Sequence, residues 1–274
     1  MLRAADVSFW YEPNRAERPG AGHREPRAAV LVSVSAAVPA GKVVGILGPN
    51  GSGKTTLLRL LSGTRRAMRG DVFLGETPLH RFSRRALAQR IAVVPQETQL
   101  AFEYTVLEMV LMGRHPHLGL FELEGPHDLQ IARDAMHATG TAHLEGRHFH
   151  TLSGGEKQRV VIAAALAQAS EILLLDEPTA SLDLGYQLEV AALIAELNRR
   201  RGVTVAISTH DLNLAASVCH ELVMLRDGRV IAAGPLADVL TGANIARLYG
   251  VSADVHVHPA SGRLVVVPVS RAGA

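Results

Sequence analysis

Gly48-Pro49-Asn50-Gly51-Ser52-Gly53-Lys54-Thr55 fits G-x-x-x-x-G-K-[ST], the spacing of a loop that cradles phosphate groups. Its glycines let successive backbone N–H groups turn inward onto anionic oxygens, and the helix expected next adds its positive N-terminal end. Lys54 supplies a mobile cation, and the Thr55 hydroxyl suits Mg²⁺, the usual companion of β- and γ-phosphate oxygens. The flanks agree: residues 42–47 are a short apolar run that reads as a buried strand, and residues 56–61, starting at Thr56, read as a helix. A mere glycine-rich turn is the competing reading. The chain has only Lys42, Lys54 and Lys157 as lysines, so one falling directly after Gly53 argues for the phosphate loop.

The 274 residues, 47% hydrophobic, suffice for a substantial core in one or two domains. No apolar run approaches the ~18 residues of a membrane span. The longest candidate, residues 160–169, is interrupted by Gln168 and closed by Ser170 and Glu171. Arg3 and Asp6 near the N-terminus, with no apolar block after them, argue against a signal peptide, so a cytosolic location is expected. Cys219 is the only cysteine, which rules out an internal disulfide and a thiolate cluster and marks it as a small core residue. A net charge of +2 with scattered arginines carries no nucleic-acid footprint.

Along the chain, residues 2–11 read as an edge strand ending in Trp10 and Tyr11, aromatics that either stack on an adenine ring or cover the sheet edge. Residues 12–27, rich in Pro and Gly, read as a long exposed loop. Strands are expected at 29–38, 70–75 and 91–94, with a basic helix at 83–90 between the last two. Gln96 follows the last of these strands. From 97 to 150 helical spacing takes over, with seven histidines that lack a ligand-spaced cysteine or carboxylate partner and read as surface residues.

Ser153-Gly154-Gly155-Glu156 has the S-x-x-E spacing of a capping box at the start of a small-residue helix. The segment is either a structural cap or a second anion-binding helix end. Residues 172–175 form a continuous apolar strand that ends in Asp176 and Glu177, where α/β sheets hold ligands. Asp176 suits Mg²⁺, and Glu177 suits the orientation or deprotonation of an attacking water. Asp183 opens an amphipathic helix through Arg199, with Leu184, Leu188, Ala191, Ile194 and Leu197 on or near one apolar face. The strand 203–208 delivers His210 to the same sheet end, within reach of a γ-phosphate or the attacking water. A helix, a hairpin at 222–232 and helical spacing to Tyr249 complete the chain, and a small β element is expected beyond it.

With the phosphate loop, Gln96, residues 152–159, Asp176 and Glu177, Asp183 and His210 in this order, the chain resembles the ATPase subunit of an ATP-binding-cassette (ABC) transporter over residues 2–250. The resemblance implies an α/β P-loop NTPase (RecA-like) core with an antiparallel β edge subdomain and an inserted α-helical subdomain. It places the core at 1–95 and 166–240, the helical subdomain at 96–165, and a C-terminal tail at 251–274. It also implies ATP and Mg²⁺ as cofactors. Tyr11 looks like the adenine-stacking aromatic, Gly48 to Thr56 like Walker A, Gln96 like the Q-loop, residues 152–158 like the family signature and Ser181 to Asp183 like the D-loop. Lys54, Glu177 and His210 take the catalytic roles, and Thr55, Gln96 and Asp176 the metal. In this family two copies pack head to tail, so Ser153, Gly154, Gly155 and Glu156 of one would face the γ-phosphate held by Lys54 of the other. The signature here reads S-G-G-E where S-G-G-Q is commoner, and residues 12–27 exceed the usual length.

Phe102 to Val110, Met112-Gly113-Arg114, residues 209–215 and residues 253–258 resemble the importers of iron–siderophore, haem and cobalamin. Those pair two ATPases with an integral-membrane permease dimer and a substrate-binding protein, with the ATPase peripheral on the inner face of the cell membrane. An exporter subunit and a soluble cassette ATPase acting on ribosomes or DNA are the alternatives, the latter usually carrying two cassettes or a long coiled-coil insertion.

Overall fold

A computed structural model describes residues 1–11, 29–98, 102–180 and 182–271. The chain runs β1 (Leu2–Phe9), β2 (Leu31–Val38), β3 (Val43–Leu47), α1 (Lys54–Leu61), β4 (Arg69–Leu74), β5 (Thr77–Pro78), α2 (Arg84–Ala88) and β6 (Ile91–Val94). The helices α3 (Val106–Leu111), α4 (Pro126–Ala138) and α5 (Gly154–Ala167) come next. Then follow β7 (Ile172–Asp176), α6 (Leu184–Arg201), β8 (Thr204–Thr209), α7 (Leu212–Val218), β9 (Glu221–Arg226) and β10 (Arg229–Pro235). The chain ends with α8 (Leu236–Val239), α9 (Gly242–Tyr249), β11 (Val251–Val257) and β12 (Leu264–Arg271).

The strands that read as unbroken apolar runs form one sheet, in the order β10-β9-β3-β8-β7-β6. Its neighbours are parallel except the β9–β10 hairpin at the edge. Every residue of β3, β7 and β8 is buried, as a parallel sheet covered on both faces requires. The period-2 alternation of a strand divides these side chains between two cores. Val44, Ile46, Ile172 and Leu174 meet α1 and the other sheet, while Val43, Leu47, Leu173 and Leu175 meet the helices of the opposite layer. Leu47 lies opposite Thr209 and Asp176 opposite Ser208, so the sheet register brings the phosphate loop, Glu177 and His210 to one edge.

The second sheet is antiparallel, in the order β2-β1-β4-β5. Here the expectation for the N-terminal strand is corrected, because β1 is interior. Leu2 pairs with Val38 on one side and Leu74 on the other. Its side chains alternate toward the core, with Leu2, Ala4, Val7 and Phe9 buried, and both partners come from later in the chain, so no local signal announces them. Asp6, at φ 51°, marks a bulge where both registers shift.

The helices α3, α4 and α5 pack on one another. Thr105 and Glu108 cap α3 reciprocally. Arg114 is buried and donates to Asp128 Oδ1 on α4 at 2.9 Å and to the Ala167 carbonyl at the end of α5 at 2.7 Å, tying the ends of two helices together. The hydrogen bond from Arg114, aided by the Gly125 amide, holds the Asp128 carboxyl below its ordinary pKa. Stability from a depressed carboxylate is present above its unfolded pKa and is lost as pH falls through the folded value. Asp128→Asn is therefore expected to cost about 2 kcal/mol at pH 7. In denaturant titrations the gap to wild type should start to narrow below about pH 4 and close once pH has fallen through the lower folded value.

The amphipathic face assigned to α6 is also corrected in part. Ala191, Ile194 and Leu197 are buried, but Leu184 and Leu188 are 72% and 64% exposed. The buried face is centred on Val190, Ile194 and Leu197. At 100° per residue the two leucines point roughly 100° or more away from that centre. Residues after 250 form the antiparallel β11–β12 hairpin, whose Ala253 and Val266 are buried against α9 and α7. Cys219 lies in the core, and burial pushes its thiol up to about 12, which leaves it inert.

Candidate active site

The phosphate loop leaves the C-terminal end of β3 and closes onto α1 through Gly53 at φ 103°. A Cβ there would fall 2.7 Å from Leu31 Cδ2 and 3.0 Å from the Val30 carbonyl, so both backbone conformation and space demand glycine. The loop borders a cleft of about 360 Å³ lined by Asn50, Gly51, Lys54, Thr55, Gln96 and Glu177 among others. Thr56 also lines it, and the buried Ser52 hydroxyl has no hydrogen-bond partner among the described residues.

Lys54 is buried, and its Nζ donates to the carbonyls of Gly48 at 2.9 Å and Pro49 at 3.3 Å. Its third partner is Glu177 Oε1 at 3.1 Å. The other oxygen, Glu177 Oε2, lies 2.7 Å from His210 Nδ1. One carboxylate thus bridges the loop cation and the histidine of the next strand end. Glu177 sits at φ 49°, a left-handed conformation costing roughly 1–2 kcal/mol for a residue with a Cβ. It is held there by its own N–H, which donates to the Ser208 carbonyl at 3.0 Å and Ser208 Oγ at 3.1 Å. Strain kept at a strand end next to a buried ion pair is characteristic of a site that needs a fixed geometry.

Beside it, Asp176 Oδ1 accepts from Ser208 Oγ at 2.5 Å and from Thr55 Oγ1 at 3.0 Å. Ser208 is fully buried and serves both acidic residues: its hydroxyl donates to the Asp176 carboxylate, and its carbonyl and hydroxyl accept from the Glu177 backbone N–H. In the sequence Ser208 is indistinguishable from the end of an apolar strand. The oxygens of Thr55 and Asp176, with the Gln96 amide bordering the same cleft, are the hard donors a divalent cation takes.

Of the two N-terminal aromatics, Tyr11 is the one joined to the loop's helix. Its hydroxyl shares a hydrogen bond with Thr56 Oγ1 at 3.2 Å and accepts from Arg59 at 3.3 Å. Phe9 braces it edge-on at 4.9 Å, and the ring stays 44% exposed. Arg59 is a second contact that the sequence reading did not single out.

Residues 153–156 line no part of the cleft around Lys54. Ser153 Oγ accepts from the Glu156 amide at 3.3 Å, and Glu156 Oε2 accepts from the Ser153 amide at 2.8 Å, a complete capping box. That amide holds the Glu156 carboxyl below its ordinary pKa. Ser153 and Gly154 are exposed, while Gly155 packs on Tyr186 so closely that a Cβ would fall 2.2 Å from the ring. Arg159 pairs with Glu189 and lies over the Tyr186 ring at 5.8 Å, joining α5 to α6. Asp183 caps α6 through the Tyr186 amide at 3.1 Å. Ser181 and the 12–27 loop fall outside the described residues. Among the described residues no three His, Cys, Asp or Glu side chains gather as a metal cluster, and His117 spends its ring nitrogen on the Gln168 carbonyl.

A profile of the ABC transporter family matches residues 31–180. The hemin import ATP-binding protein HmuV of Myxococcus xanthus is 44% identical over 85% of this chain and 88% of its own length. The ferric enterobactin transport ATP-binding protein FepC of Escherichia coli K12 is 38% identical over 88% and 89% of the two chains. The cobalamin import ATP-binding protein BtuD of Halobacterium salinarum is 42% identical over 88% of this chain, which spans only 60% of that relative's length. Among solved structures, a metal-chelate type ABC transporter in an inward-facing conformation superposes with a TM-score of 0.81 and 29% identity, covering 98% and 96% of the two chains. A dimeric bacterial ABC transporter cassette gives a TM-score of 0.73 at 27% identity, over 86% and 99%.

Proposed function

The chain belongs to the ABC transporter family, and from that premise we propose that it is the ATP-hydrolysing subunit of an importer of a metal chelate: iron–siderophore, haem or cobalamin. The observation that carries the catalytic part is the bridge Lys54–Glu177–His210 at the sheet edge, with Asp176 and Thr55 beside it. Lys54 exchanges its contacts with the loop carbonyls and Glu177 for phosphate oxygens, and the inward N–H groups from Gly48 to Thr56 share the remaining charge. Glu177, released from Lys54, accepts a proton from the attacking water, while His210 Nδ1 keeps hold of its other oxygen. Thr55, Asp176 and Gln96 would hold Mg²⁺, which neutralises phosphate charge when bound. Tyr11 offers its exposed ring to the adenine.

A second copy is the partner that completes this site. Ser153, Gly154, Gly155 and Glu156 stand exposed or at a helix N-terminus away from Lys54, and a head-to-tail copy brings that end, beside Asp183, onto the nucleotide. The permease contact falls to residues 97–114. Phe102 is 73% exposed there, at a cleft of about 300 Å³ shared with Glu103, Tyr104, Phe149, His150 and Lys157, which suits a short permease helix. Attachment to the inner face goes through that permease, in keeping with the import ATP-binding relatives; no described helix is long and apolar enough to cross a membrane.

The test reconstitutes the chain with a many-helix permease encoded beside it. ATPase activity stimulated several-fold by a chelate-loaded binding protein supports import, since differential binding to the loaded state drives the shift. Substrate movement out of the cytosolic side overturns it.

A further inference from the structure

Tyr249 ends α9, far from every motif of the nucleotide site in sequence, yet its hydroxyl donates to the His210 carbonyl at 3.3 Å. Burial, with the nearby negative charge of Glu177 adding to it, pushes the phenol's pKa well above its ordinary value, so Tyr249 stays a hydroxyl donor throughout the working range of pH. Gly250, at φ 67°, turns the chain from α9 directly into the C-terminal hairpin. That hairpin grips the other end of the His210 segment. Asn213 Nδ2 donates to the Val266 carbonyl at 3.2 Å and the Val266 amide donates to Asn213 Oδ1 at 2.9 Å, a two-point lock of α7 onto β12. Between the two grips, Asp211 caps α7 through the amides of Asn213 and Leu214. The stretch from His210 to Asn213 is thereby clamped at both ends by one C-terminal unit made of α9, β11 and β12.

We propose that Tyr249 is a positioning residue for hydrolysis: it fixes the main chain of His210 against the end of α9, and so keeps the imidazole on Glu177. This rests on the catalytic reading of Glu177 and His210. Tyr249 touches no reacting atom. It acts through His210, which gives the proposal a signature that simple packing lacks.

Tyr249→Phe keeps the ring and removes only the hydroxyl. In the full-length chain kcat for ATP is expected to fall about five-fold, the rate equivalent of one ordinary hydrogen bond, with KM for ATP changed less than about two-fold. The same substitution made in a His210→Ala background should have no further effect, because residues acting as a unit are not additive. Amide exchange over residues 209–213 should accelerate by a similar factor, whether or not nucleotide turns over. An unchanged exchange rate, or a loss of kcat that persists at full size without His210, overturns the inference. A wild-type chain that hydrolyses no ATP, with exchange still accelerated in Tyr249→Phe, overturns the proposed function and leaves the clamp standing.

Discussion

Glu177→Gln is expected to bind ATP at least as tightly as wild type while hydrolysing it about 10²–10⁴-fold more slowly, the range lost with a general base. Both halves follow from the bridge. The amide fills the volume of the carboxylate but accepts no proton from water, so turnover goes. Glu177 also occupies Lys54 at 3.1 Å, in competition with any incoming phosphate. Neutralising it removes a desolvated ionic partner that Lys54 must give up on binding, and nucleotide affinity should rise several-fold. Folding should survive, since the left-handed backbone at this position is held by Ser208, not by the side chain. With ATP present, the variant should accumulate as a closed dimer in light scattering. Near wild-type turnover would remove Glu177 from the role assigned to it.

The parts of this site that sequence conveys are those in which chemistry and local structure share a short window. The phosphate loop needs glycines, a lysine and a following helix within a dozen residues. Asp176 and Glu177 stand out because carboxylates closing the apolar run of β7 have no business in a core. The β layers were likewise readable as apolar runs, because residues fully buried in a parallel sheet leave little polar alternation.

What was hidden depends on pairing across the chain. β1 reads locally as an edge because its two partners, β2 and β4, are recognisable only in the folded sheet. Leu184 and Leu188 fit an apolar helical face by spacing, but where α6 meets the core is decided by α5 and α7, which centre the contact on Ile194. Ser208 and Tyr249 escape for the same reason. A buried strand-end serine and a helix-end tyrosine carry no motif, and each acquires its role only from what lies opposite it, Asp176 in one case and His210 in the other.

Ser153→Arg is expected to leave ATP binding nearly intact and to abolish turnover. Among the described residues the Ser153 side chain hydrogen-bonds to Glu156, in a cap whose loss costs about 1 kcal/mol, so the fold tolerates the change. The cleft around Lys54 contains no residue of this segment, which keeps nucleotide affinity unchanged within about two-fold. The damage falls on the second copy. A long cationic side chain at the exposed start of α5 opposes the helix dipole and blocks the face that would meet the partner's nucleotide. The decisive form of the experiment mixes Ser153→Arg with Lys54→Ala, each inactive alone. In a head-to-tail dimer the mixed pair has one site built from an intact Lys54 and an intact Ser153. Random pairing then restores roughly a quarter of wild-type activity, because half of the dimers carry one good site out of two. A site complete within one copy predicts no such recovery, and it predicts a Ser153→Arg enzyme as fast as wild type; either result would overturn the composite site.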